Sequence, residues 1–172
     1  MGSRTSTSAA AATPKIRPLR AADLGAVIAI DTANTGRARR GFFEKRLAAV
    51  KRDPDLFLAF AVEAGAVEAG AVEKDKALAG FLIARIFRGE FGASEPIASI
   101  DAIGVAPDRQ SRGLGHALME GLETSLRKRG VFEIRSQDAW TGGALMRFFA
   151  GTGFELAPIW VLDRPLGEPV DF

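Results

Sequence analysis

From Ile100 to Gly115 the chain runs out of an apolar strand into a turn that carries Arg109 and Arg112 and then opens a helix at Gly113-Leu114-Gly115. A helix start leaves backbone N–H groups unpaired and carries partial positive charge, so an anion can sit there when no side chain blocks it. Glycines at 113 and 115 clear the approach. The two arginines add charge that suits a doubly charged group such as a pyrophosphate better than a single carboxylate. An ordinary strand-to-helix connection with incidental glycines has the same pattern, because short glycine motifs recur by chance. A dinucleotide loop fits poorly, since no third glycine follows at the required spacing and the turn from Ala106 to Arg112 is long.

The elements that would position this turn are legible. Leu114, Leu118, Leu122 and Leu126 recur every fourth residue, with Glu120, Glu123, Arg127 and Lys128 on the other side, and Gly130 stops the helix. Leu24, Val27, Ile28 and Ile30 predict an earlier helix ending by Gly36, and Phe42, Phe43, Leu47 and Val50 a second ending before Asp53-Pro54. Short apolar runs at Leu56 to Val62, Leu78 to Ile86, Ile97 to Val105, Val131 to Ser136 and Ile159 to Leu162 read as strands. The unit repeated from Ala61 to Glu73 is too short in period and copy number for a solenoid, and reads as an expanded loop. Two early helices followed by sequence-adjacent strands predict a mixed α/β fold with antiparallel pairs and one helix-linked parallel pair.

A length of 172 residues with 47% hydrophobic content predicts a single domain over residues 14–172. Residues 1–13, rich in Ser, Thr and Ala, read as a disordered tail. A net charge of +2 gives no footprint for nucleic acid, and no stretch approaches the roughly 20 apolar residues that span a bilayer, so the cytoplasm is the default expectation. The absence of cysteine excludes disulfides, thiolate metal ligands and a cysteine nucleophile. No metal site is expected.

Gln110-Ser111-Arg112-Gly113-Leu114-Gly115 resembles the Gln/Arg-x-x-Gly-x-Gly/Ala motif of the GNAT superfamily of acetyl-CoA-dependent N-acetyltransferases. Two further segments resemble that family in the same order: Ile16 to Leu24 its first strand and helix entry, and Leu145 to Phe154 its last helix and Gly-Phe strand start. The resemblance implies a mixed, mainly antiparallel sheet with a splayed parallel strand pair, flanked by helices. It also implies acetyl-CoA as co-substrate, with its pyrophosphate on Gln110, Ser111, Arg112, Gly113, Leu114, Gly115 and His116 and its pantetheine arm along Ile103, Gly104 and Val105. The family's usual acid, a tyrosine on the last helix, falls at Phe149, and the chain has no tyrosine; Phe149 is left to shape the thiol end. The family's frequent Asn at the entrance to that helix is replaced by Gly142-Gly143.

The activity this implies is transfer of acetyl to a primary amine by direct attack, which needs a neutral amine and a route for the thiolate's proton. Asp101 is the candidate base, directly or through water, with Ser99 a weaker candidate. Alternation along the strand predicts that Ser99, Asp101, Ile103 and Val105 share one face. Asp101 is equally able to pair with an arginine or bond a loop, and an ordinary aspartate is a weak base unless burial raises its pKa. Trp140 and Trp160 are candidate pocket walls, and Arg37, Arg39 and Arg40 either a solvated face or a reader of an acidic acceptor. The acceptor is an amine-bearing small molecule or a protein or peptide. An acyl-CoA sensor with little catalysis is the alternative function, and edge-strand pairing into a homodimer is open.

Overall fold

Leucines at 114, 118, 122 and 126 do form one buried stripe, with Met119 beside it, on helix α3 (Leu114–Arg127). The structure, a computed structural model of the chain, describes residues 14–63, 77–89, 94–137, 143–159, 162 and 164. The 1–13 tail, the 64–76 part of the repeat, Trp140 and Trp160 lie outside them. Helix α3 lies against a five-stranded sheet of sequential order: β1 (Ile16–Pro18), β2 (Phe57–Glu63), β3 (Leu78–Phe87), β4 (Ile97–Val105) and β5 (Ile134–Ser136). The first three pairings are antiparallel and β4–β5 is parallel. Mixed α/β with a mainly antiparallel sheet is therefore the observed class.

The opposite face of the sheet carries α1 (Leu24–Thr35) and α2 (Arg40–Arg52). Val27 and Ile30 of α1 and Phe43 of α2 pack with Ala59, Ala61, Phe81 and Ile83 of the sheet. Each valine, isoleucine or phenylalanine so buried contributes about 1.5–3 kcal/mol. Edge-to-face contact between Phe43 and Phe81, with centroids 5.5 Å apart, ties α2 to β3. Helix α1 ends as its sequence predicts: Gly36 takes φ 73° and returns its N–H to Thr32 O at 2.8 Å. Arg17 binds β1 to its neighbours through Glu63 on β2 and Asp23 ahead of α1.

Two strands differ from expectation. The run from Val131 to Ser136 pairs only over its last residues, because Val131 is buried and donates to Leu126 O to finish α3, while Phe132 is exposed. Of the expected closing strand, Ile159 and Leu162 are exposed and outside any strand, with no described neighbour pairing them. By internal contacts the chain divides into two units, Met1–Gln137, which holds the sheet, and Asp138–Phe172, which holds helix α4 (Gly143–Gly151). No helix among the described residues is long and apolar enough to cross a membrane.

Candidate active site

The turn into α3 is open. Gly113 stands at its N-cap with φ 75° and, among the described residues, no side chain caps the helix start and nothing lies within 4 Å of where a Cβ on Gly113 would project. Ser111 also adopts a positive φ, 61°, a conformation that costs a side-chain-bearing residue roughly 1–2 kcal/mol. These left-handed residues turn the chain so that Gln110, Ser111, Arg112 and Gly113 are all exposed while Leu114 plunges into the core. First-turn N–H groups of a helix have no acceptor within it, and His116 stands exposed on the same turn.

Arg112 forms no ion pair with a described residue, whereas Arg109 pairs with Asp108 at 3.2 Å. Gln110 braces the turn: its amide nitrogen donates to Asn34 Oδ1 at 3.1 Å and Val105 O at 3.3 Å. Asn34, at the end of α1, also donates to Val105 O at 3.1 Å. Helix α1, the end of β4 and the loop are thereby locked together.

Beside the turn, β4 has a free edge. Its pairing with β5 covers only Ala98 to Ile100, and from Asp101 onward no described residue pairs with that edge. Ala106 donates to Ala79 O at 2.8 Å, so by the alternation of an antiparallel ladder the main-chain groups of Ile103 and Val105 turn away from β3, toward the free edge. Gly104 is required by packing: a Cβ there would come within 2.9 Å of the buried Phe81 ring.

The expected common face for Ser99, Asp101, Ile103 and Val105 is not observed, and a bulge is the reason. Ile83 faces Ala102 but Ala84 faces Ile100, so Asp101 is an extra residue without a β3 partner. One inserted residue reverses the alternation beyond it. Ser99 lies opposite Arg85, on the face toward α1 and α2, while Ile103 and Val105, opposite Leu82 and Gly80, lie on the α3 face.

Asp101 turns to α2, where Arg46 Nε lies 2.7 Å from its Oδ2. The Arg46 N–H points off the line of contact, leaving a close ion pair without a formed hydrogen bond. Only 10% of the Asp101 side chain is exposed. Burial pushes its carboxyl above the usual range, against the pull of the Arg46 and Arg85 charges. Neither arginine was singled out in the sequence, where both are far from Asp101. Among the arginines that were, Arg39 is held by both oxygens of the buried Asp31, and Arg40 pairs with Glu44. Phe149 is buried in the second unit, its ring 4.8 Å from that of Phe154. A cavity of about 520 Å³ lies at the other end of β3 and β4, lined by Ile86, Arg88 and Pro96 and by Arg129 and Val131 just beyond α3.

The model of the acetyltransferase (GNAT) family matches residues 39–154, most of the chain, including the free edge, the bulge and the open turn. The chain belongs to the GNAT acetyltransferase family. Solved GNAT-like structures agree in fold. Aminoglycoside antibiotic 6'-N-acetyltransferase AAC(6')-Ih from Acinetobacter baumannii superposes with a TM-score of 0.70 at 14% identity, covering 90% of this chain and 100% of that one. A transcriptional regulator from Bacillus halodurans C-125 gives 0.70 at 15% identity, over 90% and 100%. AAC(6')-Iy, solved with the bisubstrate analogue CoA-S-monomethyl-acetylneamine, gives 0.64 at 19% identity, over 90% and 99%. None of the curated proteins matches the sequence. Acetyl-CoA is the acyl donor of GNAT acetyltransferases, and the residues present fit it: an uncapped helix start with Arg112 at its mouth beside a strand edge whose main-chain groups are turned outward.

Proposed function

We propose that residues 14–172 form an N-acetyltransferase that moves the acetyl group of acetyl-CoA to a primary amine on a small molecule, peptide or protein. The observation that carries this reading is the open, uncapped start of α3 beside the unpaired edge of β4. Main-chain N–H groups from Arg112 to Gly115 and the Arg112 guanidinium hold the pyrophosphate, and Ile103 and Val105 align the pantetheine arm as an added strand would be aligned. Gln110 serves by bracing that loop against Asn34 and Val105. When bound, acetyl-CoA supplies an activated thioester.

Asp101 accepts the proton of the incoming ammonium, directly or through a water. Burial fits it for the task by lifting it toward the amine's range, and Arg46 limits the rise. Because a base works only when ionised, activity falls as pH drops through the raised Asp101 value, above the usual aspartate value of about 3.9. Asp101→Asn is expected to lower kcat by about 10²-fold or more and to remove that acidic limb, leaving acetyl-CoA affinity unchanged. Arg46→Met is expected to shift the limb to higher pH, since a lowering charge is lost. A full pH profile of kcat, with calorimetry of acetyl-CoA, checks both; an unaltered profile in Asp101→Asn removes Asp101 from the chemistry.

The absence of tyrosine favours a second reading, a coenzyme sensor with little turnover. Acetyl-CoA binding without amine-dependent thiol release across a broad amine panel would select it.

A further inference from the structure

We propose that the acceptor carries an anionic group, a carboxylate or a phosphate close to its amine, and that this group docks on Arg85 and Arg46 beside Asp101. The role of the amine rests on the transferase reading above, but the charge of the acceptor rests on separate observations. One guanidinium contacts this carboxylate, and a second stands on the same face of the sheet. Arg46 touches Asp101 from α2, and Arg85 acts on it from β3, where it lies opposite Ser99. That leaves one positive charge in surplus when Asp101 is ionised and two when it is protonated.

Among the described residues, the nearby acids Asp31 and Glu44 do not supply the balance. Asp31 is held by Arg39 and Glu44 by Arg40. Arg46 Nε is compensated by Asp101 at 2.7 Å, whereas the buried Nε of Arg85 has no hydrogen-bond partner, and an unpaired buried donor costs about 1–3 kcal/mol, more when charged. Such a deficit in a folded protein calls for a partner from outside the described side chains.

The two heads are also held in place. Arg85 lies 4.0 Å above the ring of Phe87 and Arg46 5.0 Å above that of Phe42. A guanidinium fixed on an aromatic face presents a planar fork, which matches carboxylate or phosphate oxygens and has nothing to offer an ammonium. The surplus cations thus orient the acceptor, binding its acid and leaving its amine toward Asp101.

The test uses amines in pairs that differ only in the acid: β-alanine against propylamine, and glucosamine 6-phosphate against glucosamine. Calorimetry on the coenzyme A-loaded protein reads binding, and thiol release with acetyl-CoA reads transfer. At least one acidic member is expected to bind at least tenfold more tightly than its neutral partner, with the preference shrinking as salt is raised. Arg85→Met is expected to erase the preference with acetyl-CoA affinity unchanged. Arg85→Lys, which keeps the charge and loses the fork, is expected to retain part of it, and guards against a folding defect in the first variant. Equal binding within both pairs, no binding of any member, or a preference that survives Arg85→Met overturns the proposal. Selective binding of the acid with no thiol release there or across a broad amine panel supports it while overturning the transferase reading.

Discussion

Asp101 illustrates what one side chain's surroundings add to its identity. An aspartate in an apolar strand is visible as a candidate from the sequence alone. Its bulge, its burial and its two arginines depend on strands and a helix that meet only after folding. Arg17 poses the same issue for stability. Its Nε donates to Glu63 at 2.7 Å, and its terminal nitrogens donate to Asp23 at 2.7 and 2.9 Å. All three side chains are largely buried, so Arg17→Met leaves Glu63 desolvated without this partner and Asp23 with only the Arg20 N–H at 2.7 Å. A loss of about 2–3 kcal/mol at neutral pH is expected from urea titration. Arg17 holds the Asp23 carboxyl below the usual range, so this stabilisation is present above the ordinary aspartate value of about 3.9 and fades as pH falls through the lowered native value. The gap between wild type and variant should narrow accordingly in acid.

At the scale of elements, helices were the more legible part. α3 has a leucine every fourth residue and a glycine at each end, and local rules locate such a helix well because its hydrogen bonds close within a few residues. Strand faces were harder. The simple alternation that grouped Ser99 with Val105 failed at a single extra residue, and a bulge is defined by the partner strand rather than by the strand that carries it. The role proposed for the start of helix α3 rests on its N-cap glycine. Gly113→Ala would force an alanine into φ 75° and set a methyl group in open space above the first turn. Strain of about 1–2 kcal/mol is expected, together with an acetyl-CoA Kd raised about tenfold, equivalent to about 1.4 kcal/mol. Calorimetry beside urea titration separates the two effects; lost stability with unchanged affinity would place the pyrophosphate elsewhere.

At the scale of the molecule, a ligand that seats on β4, the loop and α3 together must stabilise the fold that joins them, because it binds the native chain and not the unfolded one. Acetyl-CoA at about 100 times its Kd is expected to add about 2.7 kcal/mol and so raise Tm by roughly 5–10 °C, with NAD giving no shift; a thermal-shift series checks this. The sequence by itself determined the order of helices and most strands, the mixed α/β class and the glycine turn, since periodicity, stop signals and a local motif are properties of neighbouring residues. Only the tertiary structure decided that, among the described residues, the turn is uncapped and β4 pairs with β5 no further than Ile100, and that Arg46 contacts Asp101. Those facts depend on strand register and helix packing, in which residues far apart in the chain acquire charge, burial and partners that none of them has alone.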